Sequence, residues 1–125
     1  MCKLVPYKDG RFVAEIKLDY INNISGHAAK TKYISRVMLF GSSLEERCNE
    51  SSDIDIAVFG PKVSSRYIDS AEFHRFTNSV YKFDWNQNYD ILYFKEGKEY
   101  KDNIMKFIDD TANYYVNEYK DKNVI

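Results

Sequence analysis

Residues 39–60 read LFGSSLEERCNESSDIDIAVFG. One apolar run closes on Gly41-Ser42, a polar stretch follows, and Asp53-Ile54-Asp55 opens a second apolar run. Side chains alternate across a strand, so a strand starting at Asp53 puts Asp53, Asp55 and Ala57 on one side and Ile54, Ile56 and Val58 on the other. The aliphatic set enters a core. The two carboxylates then project from one face at the strand's mouth, where like-charge repulsion opposes leaving both unpaired. A solvated strand end explains either acid alone, whereas a divalent cation explains the pair. Mg²⁺ takes oxygen ligands and is held by one or two carboxylates together with waters and substrate phosphates.

The residues upstream suit the phosphates. Gly41 has no Cβ and lets an anion approach the backbone, and Ser42 offers a hydroxyl and an N–H at the start of a short helical turn expected near Leu44 to Cys48. A third acid, Asp90, opens the run NYDILYF. A neighbouring strand brings it to the same edge, which completes the carboxylate set of a two-metal phosphoryl-transfer site, with ions about 3.5–4 Å apart. Asp84, six residues earlier, is the alternative third carboxylate. Asp90 is preferred because Ile91, Leu92, Tyr93 and Phe94 continue directly as a strand. Arg47 is the loop's one cation; it reads as a surface arginine or as a phosphate ligand.

Working outward, Val13, Ile16, Tyr20, Ile24 and Ala28 recur three or four apart and predict a helix over 12–30, ending before Lys32. YISRVMLFG is β-branched and aromatic and predicts a strand stopped by Gly41. DIDIAVFG predicts the next strand, closed by the Gly60-Pro61 turn. Ser65 is the expected N-cap of a helix through Tyr67, Ile68, Ala71, Phe73, Phe76, Val80 and Phe83. NYDILYF is a third strand, and Ile104, Phe107, Ile108, Ala112, Tyr115, Val116 and Tyr119 predict a long C-terminal helix. With no repeat, linker or low-complexity tract, this order predicts a single α/β (α+β) domain over 1–125, a small mixed sheet flanked by helices.

Bulk composition narrows the function classes. A chain of 125 residues fits one domain, and its net charge of −1 leaves a general nucleic-acid-binding role unsupported. No apolar stretch approaches the roughly 20 residues of a membrane span, and the N-terminus lacks a signal-peptide core, so a cytoplasmic location is expected. Cys2 and Cys48 form no metal-binding spacing and read as free thiols; His27 and His74 fall within helical patterns. The tyrosines Tyr114, Tyr115 and Tyr119 read as packing residues on the last helix, with a partner interface as the second reading.

Gly41-Ser42, ten residues, Asp53-x-Asp55, then Asp90 before an apolar strand resembles the nucleotidyltransferase superfamily that shares the fold of DNA polymerase beta. Within it, the pattern is most similar to the minimal nucleotidyltransferases (MNT proteins), with the motif core over about 30–95. The resemblance implies that Gly41 and Ser42 hold the nucleotide's phosphates, that Asp53, Asp55 and Asp90 are catalytic and bind two Mg²⁺ ions, and that ATP or another nucleoside triphosphate is the substrate. It further implies transfer of a nucleoside monophosphate, AMP from ATP, onto a hydroxyl. In the MNT antitoxins that acceptor is a tyrosine of a HEPN-domain toxin. Two alternatives stand beside this: a non-catalytic subunit that neutralises a HEPN partner by contact, and an aminoglycoside-type transferase whose acceptor site a partner or a second copy completes. The sequence departs from the family pattern after Ser42: Ser43, Leu44, Glu45, Glu46 and Arg47 replace the usual small-Arg-Gly stretch, so either Arg47 substitutes as the cation or nucleotide affinity is reduced.

Overall fold

The computed structural model describes residues 2–7, 11–97 and 115–118. Its centre is a four-stranded mixed sheet in which β3 (Arg36–Phe40) and β4 (Ile54–Gly60) run antiparallel, β5 (Tyr89–Lys95) lies parallel to β4, and β6 (Tyr115–Glu118) lies antiparallel to β3. The order across the sheet is β5-β4-β3-β6. Parallel strands need a long crossover. Here it is made by α2 (Ser64–Tyr67) and α3 (Ala71–Lys82), and α3 packs beside α1 (Leu18–Lys30).

Alternation within β4 sorts its side chains as the pattern of Asp53 to Val58 requires. Ile54, Ile56 and Val58 join Val37 and Leu39 of β3 in the main core, beneath Ile21, Ile24 and Ala28 of α1 and Phe73, Phe76 and Val80 of α3. Ala57 and Phe59 turn to the opposite face, with Met38, Phe40 and Phe94. Asp55 belongs to that second face, so the strand buries its aliphatic half and still presents a carboxylate at its open end. Among the described residues, no helix is long and apolar enough to cross a membrane.

Three sequence expectations are corrected. The helix expected over 12–30 begins only at Leu18, because Phe12–Ala14 forms β2, paired with β1 (Leu4–Pro6) through Leu4↔Ala14 and Val5↔Val13. A 3₁₀ turn over Glu15–Lys17 joins β2 to α1. Pairing with the preceding strand β1 outweighs helical periodicity at Val13, which is fully buried, while Ile16 stays exposed. The helix expected from Ser65 is broken: α2 ends at Tyr67, and Ser70 then caps α3 by accepting a hydrogen bond from the Phe73 N–H at 3.2 Å. The long C-terminal helix fails at residues 115–118, which form β6 on the edge of β3. Tyr115 and Val116 are good strand formers, and the edge of β3 pairs with Tyr115, Asn117 and Glu118 across a register shift. Residues 104–114 and Tyr119 lie outside the described residues. His27 and His74 fall within α1 and α3, and Cys2 and Cys48 are free thiols.

Candidate active site

The site is built where β3 ends and β4 and β5 begin. After Phe40 the chain enters a 3₁₀ turn over Gly41–Leu44, shorter and earlier than the helical turn expected near Leu44 to Cys48. Gly41 adopts φ +79°, the left-handed region that glycine enters without steric cost. A Cβ on Gly41 would lie 2.3 Å from Asp55 Oδ2, so the glycine's bare backbone sits directly against that carboxylate. Register explains the meeting: Phe40 of β3 pairs with Asp55 of β4.

Register also places the third acid. Asp55 pairs with Asp90 across the parallel β4–β5 ladder, so the two share one face of adjacent strands. Asp53 lies just before β4 and is exposed, as is Asp90, whereas Asp55 is half-buried. Burial, then the charges of Asp90 and Asp53, push the Asp55 carboxyl up to about 6; Arg47 opposes them. Partial loss of solvent, reinforced by two like charges, disfavours its ionised form.

Asp84 is committed elsewhere. Its Oδ2 accepts a hydrogen bond from the Tyr20 hydroxyl at 2.6 Å and its Oδ1 one from the Asn86 N–H at 3.0 Å, and these bonds hold it below the ordinary carboxylate range. It is a turn anchor before β5, away from the Asp55–Asp90 pair. Arg47 is exposed, and its Nε donates to Glu45 Oε2. One of the two glutamates flanking the turn is thereby matched by the loop's own arginine. Ser42 lies in the 3₁₀ turn, with its carbonyl accepting from the Glu45 N–H at 2.9 Å. Ser43 beside it is fully buried and seats the turn against the body of the protein.

Two residues that drew no notice in the sequence bear on the same edge. Lys17 is 1% exposed, and Gln87 is also buried. The Lys17 ammonium donates to the carbonyls of Ser52 at 2.8 Å and Glu50 at 3.3 Å and to Gln87 Oε1 at 2.6 Å. Gln87 Nε2 in turn donates to the carbonyls of Ser52 at 3.0 Å and Asn88 at 2.7 Å. No local signal marks either residue: Lys17 looks like the polar side of an amphipathic helix, and Gln87 lies in a polar turn.

Among the described residues, no group of three His, Cys, Asp or Glu side chains closes around an ion by itself. Two cavities of about 440 Å³ lie among the described residues, one between the end of α1 and α3, the other beside Tyr20 and Asp84, where Lys17 and Gln87 also line it. With Asp53 and Asp90 exposed, the acid edge is a solvent-facing, oxygen-only donor set. Such a set suits Mg²⁺, which completes its shell with waters and substrate phosphates rather than with an all-protein cage. Burial and two neighbouring acids raise the Asp55 carboxyl, and a divalent cation held at this edge would favour its charged form.

Compared with curated proteins, the chain matches none. The family model described as Polymerase beta, Nucleotidyltransferase matches residues 22–108, which take in α1 from Asn22 onward, the Gly41 turn and all three acids. With its mixed sheet and its Gly41-Ser42 and Asp53-x-Asp55 arrangement, the chain belongs to the polymerase beta-like nucleotidyltransferase family.

Proposed function

We propose that the protein transfers a nucleoside monophosphate, AMP from ATP, onto a hydroxyl, with Asp53, Asp55 and Asp90 as its catalytic carboxylates. The observation that carries this reading is the Asp55–Asp90 register pair set against the bare backbone of Gly41. Mg²⁺ held by Asp53, Asp55 and Asp90 would neutralise charge on the triphosphate and on the attacking and leaving oxygens. The Gly41-Ser42 turn receives the β- and γ-phosphates through backbone N–H groups and the Ser42 hydroxyl, and Arg47 adds positive charge when it leaves Glu45. The acceptor oxygen forms a bond to the α-phosphorus as the bond from that phosphorus to the bridging oxygen breaks. Pyrophosphate departs with that electron pair, and Asp90 takes the acceptor's proton. Positioning and fixed charge supply most of the acceleration.

The acceptor follows from the similarity to MNT antitoxins: a tyrosine hydroxyl on a HEPN-domain toxin, which the transfer inactivates. One observation favours a second reading, neutralisation of that partner by contact alone: the loop's arginine is occupied by Glu45, which weakens the pull on a triphosphate. Calorimetry with ATP and the other triphosphates, with and without Mg²⁺, tests the site in the wild type and in Asp53→Ala/Asp55→Ala. Metal-dependent binding lost in the double variant is expected, followed by label transfer from α-labelled ATP to a HEPN partner. Partner neutralisation that persists undiminished in the double variant overturns the catalytic reading in favour of contact.

A further inference from the structure

We propose that Lys17 and Gln87 are positioning residues that set the spacing of the acid edge by fastening the two segments that lead into it. This inference rests on the nucleotidyl-transfer reading above. The ammonium of Lys17 has three N–H donors, and the structure gives it three oxygen acceptors: the carbonyls of Glu50 and Ser52 and Gln87 Oε1. Two of these lie on the segment that runs into Asp53. The third belongs to the segment that runs into Asp90.

Gln87 closes the connection from the other side. Its amide nitrogen reaches back to the Ser52 carbonyl and forward to that of Asn88, while the Ile54 N–H bonds to the Asn88 carbonyl at 3.0 Å. One continuous network therefore runs from Lys17 to Ser52, the neighbour of Asp53, and to Asn88, two residues before Asp90. The short path leaves little freedom for one acid to move relative to the other.

The energetic argument points the same way. A buried ammonium is costly to desolvate, and burial lowers the proton affinity of Lys17; among the described residues no carboxylate pairs with it. An apolar side chain of similar length would fill the space without that cost. The ammonium instead gathers backbone carbonyls, as a fixed multi-armed donor does when it shapes a loop. Asp53 and Glu50 lie close enough for their charges to act on Lys17, so it also supplies positive charge near the acid edge from behind.

The test compares wild type, Lys17→Met, Gln87→Leu and Ile21→Val, the last of these trimming the core while removing no hydrogen bond of the network. The two readouts are Mn²⁺ affinity by electron paramagnetic resonance and exchange of the Ile54 amide in metal-free protein. In Lys17→Met, Mn²⁺ affinity is expected to fall about 10-fold or more, as loss of groups supporting metal ligands does. Ile54 exchange is expected to rise on the order of 10-fold as the segment opens locally, while Ile21→Val moves neither readout. Gln87→Leu shows the same pattern and carries the test should Lys17→Met not fold. Unchanged Ile54 exchange in the Lys17 and Gln87 variants, or equal shifts in Ile21→Val, overturns the proposal. Absence of Mn²⁺ binding by the wild type overturns the nucleotidyl-transfer reading instead, and Ile54 exchange still decides whether the fastening exists.

Discussion

At the scale of single residues, the site depends on what Gly41 lacks. Its positive φ and its contact with Asp55 both exclude a side chain, for separate reasons. The backbone reason costs Ala about 1–2 kcal/mol. The contact reason differs in kind, because the atom met is the far end of a side chain that can rotate aside. Gly41→Ala is therefore expected to cost only about 1–2 kcal/mol in urea unfolding but to swing Asp55 out of line and abolish Mg²⁺-dependent nucleotide binding by calorimetry. Full binding in a folded Gly41→Ala protein would show that the Asp55 orientation is immaterial. Gly41 and the acid pair were legible in the sequence because a strand's two-residue period determines where Asp53 and Asp55 face. The choice of Asp90 over Asp84 took more than a period. It rested on Ile91 to Phe94 as a strand, and the register of Asp55 with Asp90 and the bond from Tyr20 to Asp84 agree with it.

At the scale of elements, strands were easier to read than helix boundaries. β3, β4 and β5 lie within a few residues of their expected positions because apolar runs ended by glycine or polar turns specify them locally. The helix from Ser65 was misread as continuous because Tyr67, Ile68 and Ala71 keep a helical spacing across a break. Ser70 decides that break by turning its hydroxyl onto the Phe73 N–H, which begins α3 afresh. Ser70→Ala is expected to lower stability by about 1 kcal/mol, the usual worth of an N-cap, measured as a shift in urea midpoint at constant slope. A change below about 0.3 kcal/mol would place the start of α3 under the control of Phe73 and Phe76 packing instead. β2 and β6 escaped the sequence reading for a shared reason. Each is a short strand with too little alternation to mark it alone, and its hydrogen bonds come from a partner, the nearby β1 in one case and the distant β3 in the other.

At the scale of the whole molecule, the acid edge should be visible as a stability cost. The Asp55 carboxyl lies at about 6 in the folded protein, above the ordinary carboxylate range. The folded state then binds more protons than the unfolded state between roughly pH 4 and 6, and stability falls as pH rises through that window. Above it the ionised group costs about 1–2 kcal/mol, allowing for the solvent that reaches a half-buried side chain. Metal-free Asp55→Asn should therefore be more stable than wild type at pH 8, and the gap should close as pH falls toward 4. Added Mg²⁺ should raise the melting temperature of wild type alone. A variant less stable than wild type at pH 8 without metal would mean that the ionised Asp55 makes favourable contacts that outweigh its repulsion by Asp53 and Asp90.

The sequence by itself determined the fold class and singled out the acids proposed for the site, because strand alternation, glycine's missing Cβ and the spacing of Gly41-Ser42 from Asp53-x-Asp55 are local properties of the chain. Only the tertiary structure decided that Asp84 serves Tyr20, that Glu45 holds Arg47, that Tyr115–Glu118 completes the sheet, and that Lys17 and Gln87 tie the approaches to Asp53 and Asp90 together. The Tyr20–Asp84 and Lys17–Gln87 contacts join residues 64 and 70 positions apart. A hydrogen bond of that span leaves no periodicity in the sequence, since it depends on how distant elements pack rather than on what neighbouring residues prefer.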